Sequence, residues 1–165
     1  MRFLVFLFAF TFATAASAAP EAGLSDTNSL FKDIYVLNRI GEASSIVEAK
    51  ASELVVSALG FLGVPYRRGG SNAETGFDCS GFVRAIYEQT AGLILPRRAD
   101  QQAAATEKID KSDLQPGDLV FFNTMRRAFS HVGIYVGNGK FIHAPKPGAQ
   151  VRVEDMGVSY WANRD

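Results

Sequence analysis

The chain contains 165 residues, and 17 Lys and Arg balance 17 Asp and Glu, so its formal net charge is zero. This length corresponds to roughly one domain, which can bury a core without disulfides or metals. Apolar residues make up 47% and charged residues 21%, a globular composition that excludes a largely disordered chain. The even charge balance argues against a nucleic-acid-binding protein and against a polybasic membrane anchor.

The start of the chain has the layout of a secretory signal peptide. Arg2 is the only charged residue in this stretch, and it precedes an apolar run over residues 3–10 and small residues up to Ala19. The apolar run spans about ten residues, whereas a membrane-spanning helix needs roughly twenty. We therefore expect cleavage after Ala18, which gives a signal peptide over residues 1–18 and a soluble protein exported to the periplasm or cell-wall space.

The region after the signal peptide divides into a lead-in and a folded domain. Residues 19–41 are predicted to be a loosely ordered lead-in of uncertain structure, with one apolar patch at residues 34–37. From about Glu42, apolar residues recur at i, i+3 and i+4, which predicts an amphipathic helix that ends near Gly63. The folded domain is expected over residues 42–165. The apolar patch suggests the hypothesis that the lead-in covers part of a groove, as a lid or a prosegment does.

The rest of the domain changes from helix patterns to strand patterns. A second helix is predicted from Cys79 to Gly92, and a short polar helix over about residues 97–106. Strands are predicted, in chain order, at residues 119–122, 131–136, 140–143 and 151–153. Helices first and antiparallel strands afterwards predict an α+β domain.

The only cysteine, Cys79, lies at the predicted start of the second helix. Unpaired backbone N–H groups and the helix dipole favour a thiolate at that position. Asp78 fits the N-cap position, and the small Ser80 and Gly81 allow another element to approach the sulfur. An isolated cysteine is more often a buried small hydrophobic residue, so the thiol needs further groups nearby before it indicates catalysis.

The two histidines of the chain, His131 and His143, both lie in the predicted hairpin. In a nucleophile–base–orienter arrangement, Cys79 attacks a carbonyl carbon, His131 holds and returns the proton, and His143 orients the His131 ring. Taken alone, each of these residues is more often an inert structural residue. Their convergence on one arrangement favours catalysis.

This arrangement sets a condition on the hairpin at Gly137-Asn138-Gly139. A three-residue loop pairs residue 133 with residue 143, so that His131 and His143 share one face of the sheet. A tight two-residue turn places the two rings on opposite faces. The catalytic arrangement therefore predicts a three-residue loop or a β-bulge.

Five segments resemble, in matching order, the NlpC family of cell-wall cysteine peptidases. They are Pro65-Tyr66-x-x-Gly69-Gly70, Phe77-Asp78-Cys79-Ser80-Gly81-Phe82-Val83, Leu95-Pro96-Arg97, Leu114-Gln-Pro-Gly-Asp118-Leu-Val-Phe-Phe122, and Ser130-His131-Val-Gly-Ile-Tyr-Val-Gly with Phe141-Ile-His143-Ala144. The resemblance covers about residues 60–165. It implies a papain-like α+β fold, with the nucleophile at a helix start packed on an antiparallel sheet. It also implies hydrolysis of peptide bonds in the stem peptides or cross-links of peptidoglycan.

The resemblance further implies that Cys79, His131 and His143 form a Cys-His-His triad. Tyr66 falls on the family's tyrosine near the nucleophile and is a candidate to stabilise an oxyanion together with the backbone N–H of Cys79. The alternative for Tyr66 is an aromatic residue of a loop that packs on the core.

Four further residues are candidates for substrate binding. Asp78 and Ser80 are candidates for contact with polar groups of the stem peptide, alongside their roles at the helix start. Arg97 and Gln102 are weaker candidates for the wall of the groove, and a solvated surface charge is an equal alternative for Arg97.

Other functions remain open from the residues alone. The same thiol and imidazole serve an amidase or an acyltransferase equally well. One cysteine and two histidines could ligate zinc, but the absence of a second cysteine makes a poor zinc pattern. A non-catalytic peptidoglycan-binding module is a further possibility. We expect no metal or other cofactor, no nucleic-acid partner, no stable membrane anchor and a monomer, while the peptidoglycan bond and the envelope type stay open.

Overall fold

The computed structural model describes residues 25–124 and 127–164. The predicted signal peptide over residues 1–18 lies outside the described residues, as does the start of the lead-in. Among the helices of the described ranges, none is long and apolar enough to cross a membrane.

The first helix, α1, spans Ser25–Leu59 and is followed by a turn. The prediction of a loosely ordered segment before Glu42 is therefore wrong for the described part of the lead-in. A single glycine, Gly41, interrupts this stretch, and one glycine inside a helix costs only about 1 kcal/mol relative to alanine. The chain divides into two compact units, with the boundary between Ile46 and Val47 inside this helix.

The second unit contains a small hairpin and three further helices. The hairpin pairs β1, Ser71–Asn72, with β2, Gly76–Phe77. The helices are α2 at Cys79–Ala91, α3 at Ala99–Ala104 and α4 at Ser159–Ala162, and a 3₁₀ turn occupies Lys111–Asp113. Helix α2 ends as predicted at Gly92, whose φ of 63° is the left-handed conformation of a helix C-terminus.

Four antiparallel strands form the main sheet in the order β3-β4-β5-β6. Their bounds are Leu119–Phe122, His131–Gly137, Lys140–His143 and Arg152–Asp155. Neighbouring strands in the sheet are also neighbours along the chain, so the sheet is a simple meander. The predicted α+β class is confirmed.

Alternate residues of the sheet contribute to two hydrophobic clusters. Ile134 and Ile142, which lie directly opposite each other, belong to the larger cluster. Its other members include Leu54 and Ala58 of α1, Phe82, Val83 and Ile86 of α2, and Phe77 of β2. The smaller cluster contains Val120, Phe122, Phe141, Met156 and Trp161. Helix α2, which begins at the cysteine, is thereby anchored in the larger core.

Candidate active site

The hairpin of β4 and β5 places both histidines on one face of the sheet. The strands pair at Ile134↔Ile142, Tyr135↔Phe141 and Gly137↔Lys140, with a bulge between the last two pairs. The turn itself is the tight two-residue turn, because Asn138 and Gly139 both have positive φ. The bulge restores the register that the turn alone would shift by one residue. The predicted condition, a longer loop or a bulge, is confirmed.

The two imidazole rings are in direct contact. His131 Nε2 lies 2.7 Å from His143 Nδ1, with the ring planes at 87°. Both rings are buried, and the indole of Trp161 stacks on His131 with ring centroids 5.3 Å apart. This packing holds the His131 ring with Nε2 toward His143, so that Nδ1 is the nitrogen left for a nucleophile. Within the described ranges, no group of three or more His, Cys, Asp and Glu side chains is arranged to hold a metal ion.

Cys79 is the first residue of α2, at the position where the backbone N–H groups of a helix lack internal partners. The preceding Asp78 caps the helix, since its Oδ1 accepts a hydrogen bond of 2.8 Å from the N–H of Gly81. The backbone N–H groups of Val132, Ser80 and Cys79 itself act on the sulfur and lower the thiol pKa. Because Val132 follows the first histidine directly, this contact brings the sulfur beside the start of β4.

Burial opposes the separate ionisation of Cys79 and His131. Burial is the largest influence on the Cys79 thiol and raises its pKa, and the charge of Asp78 raises it further. The expected effect of the helix amides is present, but burial outweighs it. Burial also lowers the pKa of His131 to about 4. Both groups are therefore neutral when each titrates alone, and the Val132 N–H that acts on the sulfur belongs to the residue next to His131.

Asp78, Ser80 and Arg97 form one polar cluster beside the start of α2. The Arg97 guanidinium donates to both carboxylate oxygens of Asp78, over 2.9 and 2.6 Å, and to the hydroxyl of Ser80 over 3.0 Å. The Asp78 carboxylate also accepts the backbone N–H of Gly69 over 2.9 Å. About a third of the Arg97 side chain is exposed. The cluster links the glycine-rich loop to the helix, and Arg97 of its ion pair is the part that reaches the surface.

The glycine-rich loop packs against α2 at distances that only glycine permits. A Cβ on Gly81 would lie 2.1 Å from the carbonyl oxygen of Gly70, and a Cβ on Gly70 would lie 2.2 Å from the carbonyl oxygen of Gly76. Gly81 therefore admits this loop, while the neighbouring element that reaches the sulfur itself is β4, through the N–H of Val132.

Tyr66 is half-buried near the nucleophile and packs against the larger core. Burial raises the pKa of its phenol, and the negative charges of Cys79 and Asp78 raise it further. The hydroxyl therefore keeps its proton at neutral pH and can donate a hydrogen bond.

Gln102 does not line an exposed groove wall, and that prediction is wrong. Its side chain is completely buried in α3. The side-chain amide donates to the carbonyl oxygens of Ser80, over 3.1 Å, and Pro96, over 2.9 Å. Glutamine is usually a surface residue, so its burial could not be expected from its type.

Two residues that the sequence analysis did not single out contact the histidines. The carboxylate of Glu154 lies 3.6 Å from His143 Nε2, and the indole N–H of Trp161 donates to that carboxylate. The last strand was predicted to end at residue 153, whereas it extends to Asp155. Once the pairing of His143 with Arg152 is known, the two-residue period places Glu154 on the same face.

The family comparison agrees with this geometry. The model of the NlpC/P60 family matches residues 63–165, which include every candidate side chain of the site. The chain belongs to the NlpC/P60 family. The predicted family and the papain-like α+β fold are thus confirmed.

Curated relatives and solved structures give the same assignment. The chain is 42% identical over 112 residues to the gamma-DL-glutamyl hydrolase of Bacillus subtilis (strain 168), covering 67% of this chain and 27% of the relative. It is 44% identical over 103 residues to the murein DD-endopeptidase MepH of Escherichia coli (strain K12), covering 61% and 38%. The crystal structure of the NlpC/p60 domain of the peptidoglycan hydrolase SagA matches with a TM-score of 0.61 and 36% identity, covering 70% of this chain and 94% of that one. The matched region thus spans less than two fifths of either curated relative.

Proposed function

We propose that this protein is an exported cysteine endopeptidase that hydrolyses peptide bonds in the stem peptides or cross-links of peptidoglycan. The observation that carries this proposal is the 2.7 Å contact between the rings of His131 and His143. The residue after His131 on the same strand, Val132, directs its backbone N–H at the Cys79 sulfur. Relatives named as peptidoglycan peptidases support the substrate class. Export rests on the signal peptide predicted over residues 1–18.

In the first half of the reaction, Cys79 passes its proton to Nδ1 of His131 and the sulfur attacks the carbonyl carbon of the scissile bond. The carbonyl oxygen becomes an oxyanion, which accepts hydrogen bonds from the backbone N–H of Cys79 and the hydroxyl of Tyr66. His143 holds the His131 ring so that the imidazolium points at the reacting atoms.

In the second half, His131 returns the proton to the leaving amine nitrogen, and the C–N bond breaks. The carbonyl group stays on Cys79 as a thioester. Water then attacks the thioester carbon while His131 accepts a proton from that water. The C–S bond breaks, the thiolate recovers its proton from His131, and the new carboxylic acid leaves and gives its remaining proton to solvent.

The cluster of Asp78, Ser80 and Arg97 is proposed to bind charged or polar groups of the stem peptide. Arg97 is the member that faces solvent, and its guanidinium suits a carboxylate of the substrate. Gln102 is proposed to position the helix start through its bond to the Ser80 carbonyl, without touching substrate.

Two classes of bond fit this site. The two curated relatives described above are named for a DL-glutamyl bond and for a DD bond. The thioester could also pass to an amine acceptor, which makes an acyltransferase the alternative on the same chemistry.

The test is digestion of defined muropeptides and isolated peptidoglycan by the purified protein, with products identified by mass spectrometry. The parent protein is expected to release fragments whose masses identify the bond, and the Cys79→Ala variant to release none. Products joined to an added amine would indicate transfer. If neither protein changes the substrate but both sediment with peptidoglycan, the proposal fails in favour of a binding module. Digestion that a chelator stops and an alkylating agent does not would also contradict it.

A further inference from the structure

One nitrogen of the histidine pair lacks a hydrogen-bond partner. His143 is completely buried, and within the described part of the chain its Nε2 has no partner at hydrogen-bond distance. A buried polar atom without a partner costs free energy and is uncommon in folded proteins, so its surroundings need an explanation. The carboxylate oxygen Oε2 of Glu154 faces this nitrogen at 3.6 Å.

The Glu154 carboxylate is held from two sides. Its Oε1 accepts a hydrogen bond of 2.5 Å from Nε of Arg152 and pairs with the terminal nitrogen of the same guanidinium. Its Oε2 accepts the indole N–H of Trp161. The side chain is about one-fifth exposed. The same oxygen that binds the indole therefore faces the histidine, in a fixed orientation.

His143 is neutral in this site, so the position of its single ring proton decides the orientation of the whole pair. Burial lowers its pKa, and the positive charges that His131 and Arg152 can carry lower it further. The charged and titratable groups that face the ring are His131 from β4 and Arg152 and Glu154 from β6. A neutral imidazole has one donor nitrogen and one acceptor nitrogen.

Only one of the two tautomers serves the reaction. With the proton on Nε2, Nδ1 of His143 accepts a hydrogen bond from Nε2–H of His131, and Nδ1 of His131 is free to take the Cys79 proton. With the proton on Nδ1, the hydrogen bond reverses. His131 then carries its own proton on Nδ1 and cannot act as a base toward Cys79.

We propose that Glu154 is a positioning residue that holds the proton of His143 on Nε2, and so makes His131 a base toward Cys79. This inference rests on the proposed function for its effect on turnover, while its effect on the tautomer is independent of it. The 3.6 Å contact shortens to a hydrogen bond as positive charge develops on the His131 ring, since catalytic contacts often tighten only during reaction.

The direct test is the tautomer, read by long-range ¹H–¹⁵N correlation spectra of the full chain in the Glu154→Gln variant. The chain has two histidines and one tryptophan, so the ring signals are few. The carboxamide oxygen of the variant is expected to stay with Arg152, which leaves an NH₂ group toward both the indole N–H of Trp161 and Nε2 of His143. That group cannot accept a hydrogen bond from Nε2–H. We expect Nε2–H of His143 in the parent protein and a shift toward Nδ1–H in Glu154→Gln.

The matched control is Asp155→Asn, which removes one negative charge from the next residue of β6, an exposed one. It is expected to leave the tautomer and the pH profile unchanged.

In Glu154→Gln, kcat should fall about 10- to 100-fold with little change in KM. This loss is smaller than the roughly 10⁴-fold loss seen when the mutated carboxylate is hydrogen-bonded to the catalytic base itself. The acid limb of its pH profile should move to lower pH, because the imidazolium of His131 loses a stabilising negative charge.

An unchanged tautomer and an unmoved pH profile in Glu154→Gln would overturn the proposal, even if the variant unfolds at lower temperature or turns over more slowly. A shifted tautomer would support it even if the parent protein shows no turnover on any muropeptide. In that case the proposed function fails and the role of Glu154 in setting the ring proton stands.

Discussion

At the residue scale, burial disfavours the charged form of both the Cys79 thiol and the His131 imidazole. Burial raises the thiol pKa and lowers the imidazole pKa, so both groups are neutral when each titrates alone. Three backbone N–H groups oppose this effect at the sulfur. Transfer of one proton between the two groups changes no net charge, which allows the reactive ion pair to form without solvent protons.

The raised thiol pKa and the lowered imidazole pKa predict a bell-shaped dependence of kcat/KM on pH, with a wide plateau between the two values. The rate should fall on the acid side near pH 4, where His131 takes a proton from solvent and loses its role as base. It should fall on the alkaline side above about pH 8.5, the ordinary thiol value, because the thiol pKa is raised and a deprotonated pair has no proton for the leaving amine.

The measurement is the initial rate of muropeptide cleavage across this range, with the unfolding temperature recorded at each pH to exclude acid denaturation. An acid limb near the ordinary imidazole value of about 6.5, or a rate that only rises up to about 8.5, would contradict the burial of the pair.

At the element scale, the β4–β5 hairpin decides whether a catalytic pair exists. The residue types predicted both strands and the tight turn at Asn138-Gly139, because positive φ at both positions is typical of that turn. The bulge lies between Tyr135 and Gly137, and the positive φ of Gly137 is typical of a bulge, but glycine at that position is equally compatible with the start of the turn.

Gly133 is the residue of β4 on which the position of His143 depends. A Cβ there would lie 2.6 Å from Cδ2 of Phe141, 2.9 Å from the carbonyl oxygen of Ile142 and 3.2 Å from Cβ of His143. We predict that Gly133→Ala lowers the free energy of unfolding by about 1–3 kcal/mol through overpacking. Displacement of β5 should also lower kcat, because it moves the orienting ring.

The matched control is Gly41→Ala, in a helix where the added methyl group has no described atom within 4 Å outside its own turn of the helix. It should leave kcat/KM unchanged and stabilise the helix by up to about 1 kcal/mol. Urea unfolding and muropeptide kinetics of both variants check the prediction. Equal kcat values for the two variants would show that the close packing at Gly133 does not position His143.

At the scale of the whole molecule, the second unit contains the entire site and both hydrophobic clusters. Its helix segment before the turn contributes Leu54 and Ala58 to the larger core. These residues precede the region matched by the family model, residues 63–165. The family region alone therefore lacks part of the core that supports α2.

We predict that a fragment of residues 47–165 folds and retains the activity of the full chain. A fragment of residues 63–165 should be less stable by at least about 2 kcal/mol, because one buried leucine side chain alone contributes about 1.5–3 kcal/mol. Circular dichroism and urea unfolding of the two fragments give the comparison, and equal stabilities would contradict it. The lid hypothesis for residues 19–41 is tested separately by a fragment of residues 42–165: a rate above that of the full chain would support it, and an equal rate would remove it.

Different parts of the fold were predictable to different degrees. The start of α2, its Asp78 cap and its end at Gly92 followed from local residue chemistry, because caps depend on one or two residues. The helix over residues 25–41 does not follow from the sequence, because its glycine and polar residues are typical of loops. Gln102 and Glu154 were misjudged or missed because their surroundings come from elements distant in sequence.

The proposed reaction requires that Cys79 and His131 act as one catalytic unit. The most direct test is kcat/KM for Cys79→Ala, His131→Ala and the double variant on the muropeptide that the parent protein cleaves. Each single substitution should reduce kcat/KM by at least about 10³-fold, and the double variant should lose little more, because a unit loses its function with its first member. Two results would contradict this requirement. One is a fold-reduction in kcat/KM for the double variant that equals the product of the two single reductions, and the other is cleavage by Cys79→Ala.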